Sequence, residues 1–167
     1  MTADMHIVCP LHLRRCALHS KEGKQVVGWR EWVALPDLHV PEIKVKIDTG
    51  AKTSAVHAYD IASFQKDGTP FVGFYLHPIQ EQERPEIWCE VPLLDERTIT
   101  SSNGEQETRY VIETILSVGD DSWPIELSLA NRDEMGFRML LGRQAMRGRL
   151  IVDPDRSYCL GGEAEPD

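Results

Sequence analysis

Ile43-Lys44-Val45-Lys46-Ile47-Asp48-Thr49-Gly50-Ala51 is the stretch of sequence that decides the fold. Apolar and charged residues alternate along its first five positions, which is the period-two pattern of a half-buried β-strand. The pattern predicts that the lysines point outward and that Asp48 lies on the solvent side or just beyond the strand end, where Gly50 permits a tight turn. It therefore predicts an exposed carboxylate on a rigid support. The alternative is a simple turn, because Asp, Thr and Gly are all favoured turn residues.

Composition narrows the classes of protein to which the chain can belong. Its 167 residues are most simply one domain, long enough to bury a core without disulfides. The formal net charge of −9 argues against a general nucleic-acid binder, and no apolar run approaches the length of a membrane helix. The 4 cysteines are widely scattered without a C-x-x-C pair, which disfavours a zinc ribbon and suits free thiols in a reducing cytoplasm.

We predict a poorly ordered N-terminal extension over residues 1–27, one folded domain over 28–161 and an acidic tail over 162–167. The start of the chain is fairly apolar, but Arg14 and Arg15 stand where a signal-peptide cleavage site would lie. A soft-ligand metal cluster in the extension is an alternative to a floppy leader, although it would need an ordered frame. Its candidate ligands are His6, Cys9, His12, Cys16 and His19.

Short strands punctuated by turns make up the predicted domain, followed by one short helix over Arg143–Arg147. Asp67-Gly68 predicts a hairpin turn, and Asn103-Gly104 predicts a second, projecting hairpin between Arg97–Thr100 and Thr108–Val118. The other predicted strands are Trp29–Leu35, Glu42–Ile47, Ser54–Ile61, Phe71–Leu76, Ile87–Leu94, Trp123–Leu129 and Met139–Leu141, with Leu150–Val152 and Arg156–Leu160 closing the domain.

Several enzyme classes lack their motifs. A zinc-protease helix needs two histidines at i and i+4, and His39, His57 and His77 lie too far apart. The segment 50–53 resembles the end of a phosphate-binding loop, but Ala51 replaces the glycine before the lysine, and Lys46 stands where the first glycine belongs. A serine-hydrolase G-x-S-x-G elbow is also absent from the sequence. We therefore expect no metal and no cofactor.

The order of motifs resembles the retroviral-type aspartic protease subunit. An Asp-Thr-Gly strand end is followed by a flap-like hairpin and then by the apolar-Gly-Arg strand Met139–Arg143 with its helix. Longer strings are similar to the bacterial family often labelled ATP-dependent zinc proteases, over nearly the whole chain from Gly28 to Gly161. They are 28–36, 46–58, 100–104 and 131–143. The label names zinc and ATP, yet the sequence contains a site for neither.

This resemblance implies a mainly β fold, a retropepsin-like closed β-barrel with one short C-terminal helix. It also implies that Asp48 is catalytic. Because the chain supplies one such aspartate and is too short for two lobes, a homodimer that pairs two copies of Asp48 is expected. The expected supporting residues are Thr49, Gly50, Ala51 and Arg143. The expected substrate contacts are Lys52, Ser54, His57, Ser102, Asn103 and Gly104.

Lys52 departs from the retroviral pattern, in which an acidic residue at this position pairs with the arginine of the apolar-Gly-Arg strand. Arg143 must therefore find another partner. Lys52 also places a positive charge beside the expected substrate path, and between Asn131 and Arg156 six arginines face four acidic residues. These charges would attract an acidic substrate, unless the arginines merely solvate the surface.

Some members of the family are encoded beside an ATP-grasp glutamate ligase that adds glutamate tails to a ribosomal protein. The resemblance thus implies an endopeptidase acting on acidic or glutamate-modified tails in the cytoplasm, without nucleic-acid or membrane partners. One alternative is a non-catalytic peptide-binding or adaptor module that regulates the ligase. A metal-dependent hydrolase is the third hypothesis, for which the sequence offers no ligand set.

Overall fold

The computed structural model describes residues 23–79, 83–100, 103–131 and 136–161. Strands dominate, and the prediction of a mainly β fold with one short C-terminal helix is confirmed. The strands are β1 Gln25–Val27, β2 Arg30–Leu35, β3 Val40–Ile47, β4 Ser54–Lys66, β5 Thr69–Leu76, β6 Ile87–Pro92, β7 Asp95–Thr100, β8 Gln106–Val118, β9 Asp121–Ala130, β10 Met139–Leu141 and β11 Leu150–Val152. The helix α1 spans Arg143–Met146, and a 3₁₀ turn spans Pro36–Leu38.

Six strands form a closed ring in the order β10-β3-β2-β8-β9-β4, because β10 pairs both with β3 and with β4. Strands β5 and β6 extend this sheet outward from β4, and β7 pairs with β8 as the projecting hairpin. Strands β1 and β11 pair separately in parallel. Since β1 precedes Gly28, regular structure is already present within the range 1–27.

The core fills the ring with apolar side chains from the inward-facing positions of its strands. These include Val33, Ile43, Val45, Leu116, Leu127 and Met139. The alternation predicts that Lys44 points outward into solvent, but this prediction is wrong, because Lys44 is only 6% exposed. Its amino group lies 5.4 Å from the centre of the Trp32 ring, the residue directly opposite on β2. The aromatic face thus attracts the charge while the stem packs against apolar surface.

Both predicted hairpin turns are present. Asp67 and Gly68 have positive φ angles of 52° and 77°, and Gly104 at the second tip has 84°. Strand β4 is longer than predicted and reaches Lys66, because its last residues pair with β5 in an exposed ribbon beyond the ring.

A buried carboxylate joins the start of β2 to the C-terminal segment 156–160. Glu31 is fully buried, and its Oε1 accepts hydrogen bonds from the backbone N–H groups of Gly28 (2.7 Å) and Cys159 (2.8 Å). The two backbones approach so closely that a Cβ on Gly28 would lie 2.2 Å from the carbonyl oxygen of Arg156. Residues 156–160 form irregular structure that ends in a turn rather than the predicted strand, and they are held by these contacts.

Within the described ranges, none of the helical segments is both long and apolar enough to span a membrane.

Candidate active site

Asp48 directly follows the last residue of β3, at the end of the alternating strand. Its backbone N–H donates to the carbonyl of Leu141 on β10 at 2.9 Å. Its Oδ1 accepts hydrogen bonds from the N–H groups of Gly50 (3.0 Å) and Ala51 (3.2 Å). The side chain is partly exposed, and Thr49 and Gly50 are exposed. The carboxylate is therefore both oriented by the loop and accessible.

Strand β10 runs between β3 and β4 and clamps the loop that joins them. Met139 pairs in parallel with Val45 and antiparallel with Val56. Beyond β10, the N–H of Arg143 donates to the Ala51 carbonyl (2.8 Å), and the N–H of Gln144 donates to the Lys52 carbonyl (3.1 Å). The loop 48–54 is thus fixed from both sides by one apolar-Gly-Arg segment.

Gly142 is required for this clamp. A Cβ at this position would lie 2.7 Å from the carbonyl carbon of Thr53 and 3.0 Å from that of Lys52. The N–H of Gly142 donates to Ser54 Oγ at 3.0 Å. The two backbones cross too closely here for any side chain, which explains why a glycine follows the apolar strand.

Arg143 finds its partner within the same loop. Its Nη1 donates to the backbone carbonyl of Thr49 at 2.9 Å, in place of the acidic side chain that Lys52 replaces. Both Arg143 and Thr49 also border a shallow depression of about 260 Å³, whose other walls are mostly apolar. Those walls are Met146, Arg147, Leu150 and Val152.

A cleft of about 540 Å³ lies between the Asp48 loop and the base of the projecting hairpin. The segment Gly50–Thr53 forms one wall, and Arg97–Thr100 of β7 forms the opposite wall. The remaining lining residues are Ala55, Arg109, Glu126, Ser128, Leu140 and Gln144. An extended chain entering this cleft would pass beside the loop that carries Asp48.

The cleft carries three charged residues that sequence reasoning missed. Arg97 donates from Nη1 and Nη2 to the two oxygens of Glu126 on β9 (2.5 and 3.2 Å) and from Nε to Asp95 (2.7 Å). These contacts lower the pKa of Glu126, chiefly through the hydrogen bonds from Arg97. Arg109 is 8% exposed and donates from Nε and Nη2 to Glu107. Arg97 lies directly opposite Arg109 in the β7–β8 ladder, a register that the sequence of neither strand reveals.

The comparisons with known proteins agree with this geometry. The family model described as "Retropepsin-like aspartic endopeptidase RimB" matches residues 26–162. The chain belongs to the RimB-like family. This match confirms the resemblance to retropepsin-like aspartic endopeptidases that the motifs of the sequence indicate.

Two relatives of this RimB-like chain are named "Probable alpha-L-glutamate ligase". The protein of Shewanella pealeana is 48% identical over 144 residues, which cover 86% of this chain and 31% of the relative. That of Desulfotalea psychrophila is 49% identical over 139 residues, covering 83% of this chain and 30% of the relative. The chain thus spans less than a third of these relatives.

A crystal structure of a Legionella pneumophila protein of unknown function has the same fold. It superposes on the RimB-like chain with a TM-score of 0.68 and 25% sequence identity, over 81% of this chain and 98% of the Legionella chain.

The substrate contacts expected from the sequence fall into different places in this RimB-like domain. Lys52 is exposed on the cleft wall, and Asn103 and Gly104 lie at the exposed hairpin tip. Ser54 and His57 are buried, with 1% and 4% exposure, so neither offers surface to a substrate in the single chain. Ser54 instead positions Gly142, as its inward place in β4 dictates. Ser102 lies outside the described residues.

The description of the matching family names neither zinc nor ATP. Within the part of the chain that the structure describes, no group of three or more His, Cys, Asp or Glu side chains is placed to hold a metal ion. The candidate cluster between His6 and His19 lies outside the described residues. Cys89 and Cys159 are free, and burial raises the pKa of the Cys89 thiol to about 11.

Proposed function

We propose that the chain is an aspartic endopeptidase whose active site forms when the Asp48 loops of two copies meet across a two-fold axis. The observation that carries this proposal is the placement of Asp48, on a clamped loop at the edge of a cleft, in a chain with one Asp-Thr-Gly motif. The exposed Thr49 and Gly50 and the adjoining apolar depression support contact with a second copy on this face. A two-fold axis through the loop pairs each aspartate with its mate.

In such a pair, two carboxylates share one proton, because like charges held a few ångströms apart cannot both ionise cheaply. The ionised member activates a water molecule towards the peptide carbonyl, and the protonated member donates to the developing oxyanion. Thr49 supports the paired loops through its hydroxyl group, and Gly50 lets the substrate backbone approach. Arg143 holds the loop through the Thr49 carbonyl.

The proposed substrates are acidic or glutamate-modified protein tails. Lys52, Arg97 and Arg109 line the cleft together with Glu126. The two arginines are paired with Asp95, Glu126 and Glu107, so the exposed Lys52 is the charge that we expect to attract a negative chain. The names of the relatives point to a glutamate ligase as the enzyme that makes such tails and as a partner. We expect the protein to act in the cytoplasm, where its thiols stay reduced.

A mixing experiment tests the shared site. Asp48→Asn should abolish cleavage of a peptide with a polyglutamate tail, with the urea unfolding curve retained. If two copies share one site, an equal mixture of re-equilibrated wild-type and Asp48→Asn chains should leave about a quarter of the dimers with two aspartates. Sedimentation equilibrium measures the dimer directly. Cleavage by Asp48→Asn, or activity that falls only in proportion to the wild-type fraction, would refute the shared dyad.

The second candidate is a non-catalytic module that binds peptide and regulates a glutamate ligase. It is favoured by the relatives, in which the similar region accounts for less than a third of a protein named as a ligase. This function predicts binding to the ligase and to acidic peptides with no hydrolysis at any pH. Peptide mapping by mass spectrometry, over the pH range 3 to 8 (about the range in which carboxylate dyads titrate), separates the two candidates.

A further inference from the structure

Glu126 is an internal carboxylate lodged among the cations of the cleft. Both of its oxygens bind Arg97 across the strands, and after Arg97 the charge of Lys52 lowers its pKa further. Its side chain is 32% exposed, so it lies in the cleft and not beneath it. The position of Glu126 therefore marks a place in the cleft where the protein binds a carboxylate.

We infer that this part of the cleft is a subsite for a substrate carboxylate, in which Lys52, beside Arg97 and Arg109, attracts the carboxylate and the charge of Glu126 opposes its binding. The inference rests on the proposed function, since it takes the cleft as the path of an acidic chain. It assigns opposite effects to two neighbouring residues. Lys52 increases affinity for acidic chains, whereas Glu126 limits that affinity.

Hydrogen-bond donors remain for an incoming carboxylate. Lys52 has no carboxylate within 4.0 Å among the residues that the structure describes. The bonds from Arg109 to Glu107 use Nε and Nη2, and Arg109 lines the cleft although only 8% of it is exposed. Arg97 already donates to Glu126 from Nη1 and Nη2 and to Asp95 from Nε, so it holds Glu126 in place and adds no net positive charge to the subsite. A glutamyl or aspartyl side chain can thus bind without breaking the pair between Arg97 and Glu126.

The subsite lies close to the reacting bond. Lys52 follows Asp48 by four positions in a clamped loop, a span of at most about 14 Å at full extension. A substrate in extended conformation advances roughly 3.3 Å per residue, so the recognised carboxylate belongs to a residue within about four positions of the cleaved bond. The subsite therefore recognises a carboxylate of a residue near the cleaved bond, and not merely the overall charge of a distant tail.

Binding measured on the Asp48→Asn chain tests the subsite apart from catalysis. The probes are two fluorescent peptides of equal length, one rich in Glu and the other with Gln at the same positions. We expect Lys52→Gln to weaken binding of the Glu peptide about twofold to fivefold, as for the loss of one exposed charge contact, and to leave the Gln peptide unchanged. We expect Glu126→Gln to strengthen binding of the Glu peptide by a similar factor.

Glu90→Gln is the matched control, because it makes the same change of charge on β6, three strands from β9. At about 4.8 Å per strand this is roughly 14 Å, beyond the screening length of physiological salt. Unfolding in urea verifies that each variant folds. Weaker or equal binding of the Glu peptide by folded Glu126→Gln would overturn the inference, as would equal loss of both peptides in Lys52→Gln.

The outcomes also separate this inference from the proposed function. If the wild-type chain binds as expected but hydrolyses neither peptide, the subsite stands and the peptidase proposal fails. If the wild type cleaves the Glu and Gln peptides equally well and binds them equally, the peptidase stands and the subsite fails.

Discussion

Replacing Glu31 with alanine should destabilise the fold far more than replacing it with glutamine. The carboxylate accepts two backbone N–H groups at 2.7 and 2.8 Å, and each hydrogen bond to a charged group contributes about 1.5–3 kcal/mol. Part of this is offset, because Oε2 is buried without a hydrogen bond among the described residues and costs desolvation energy. Taking the lower end for each bond, we expect Glu31→Ala to lose about 3–4 kcal/mol. Glu31→Gln keeps an acceptor oxygen of the same shape and should lose about 1–2 kcal/mol.

Urea unfolding followed by tryptophan fluorescence at pH 7 measures the difference, with an unchanged slope as the check on two-state behaviour. The control is Glu42→Ala on the exposed face of β3, which should stay within about 0.5 kcal/mol of the wild type. Equal losses for Glu31→Ala and Glu31→Gln would show that the two N–H contacts do not carry the stability. A loss below about 1 kcal/mol for alanine would lead to the same conclusion.

Two further predictions concern the site. Gly142→Ala places a Cβ 2.7 Å from the carbonyl carbon of Thr53. We expect it to lower the free energy of unfolding in urea by about 1–3 kcal/mol and to reduce peptide cleavage. Wild-type values for both measurements would contradict the role of Gly142 in fixing the loop. Arg97 lowers the pKa of Glu126, so their ion pair stabilises the folded state at pH values above about 4.5, the pKa of this carboxyl group in the unfolded chain. This stabilisation is lost as the pH falls through the lower pKa that Glu126 has in the folded chain. Arg97→Gln should therefore flatten the loss of thermal stability below about pH 4.5, and parallel melting-temperature profiles of the two proteins would argue against this linkage.

Short sequence patterns correctly predicted the features of the fold that depend only on residues adjacent in sequence. The alternation before Asp48 placed the aspartate just beyond a strand, and Asn103-Gly104 placed the hairpin tip, because each depends on the residues next to it in sequence. The role of Gly142 was not predicted from the sequence, since the chain segment that excludes its Cβ is Lys52–Thr53, far away in sequence.

The charges of the cleft could not be deduced in the same way. Arg97, Arg109 and Glu126 come together through the register of three strands, and no spacing within any one strand reveals that register. The burial of Lys44 was not predicted for a similar reason, because it depends on Trp32, which lies opposite Lys44 on β2. Alternation predicts which face a side chain takes, but the neighbouring strand decides whether that face is covered.

The position of β10 has a consequence for the order in which the molecule assembles. The contacts that fix the Asp48 loop join residues far apart in the chain, with 88 positions between Ser54 and Gly142 and 94 between Thr49 and Arg143. Closing such long loops is slow, because the entropy is lost before the contacts form. A nascent chain that has emerged only as far as β9 possesses the aspartate but lacks the β10 contacts that fix its loop. The fixed conformation of the Asp48 loop can thus form only after β10 has been synthesised.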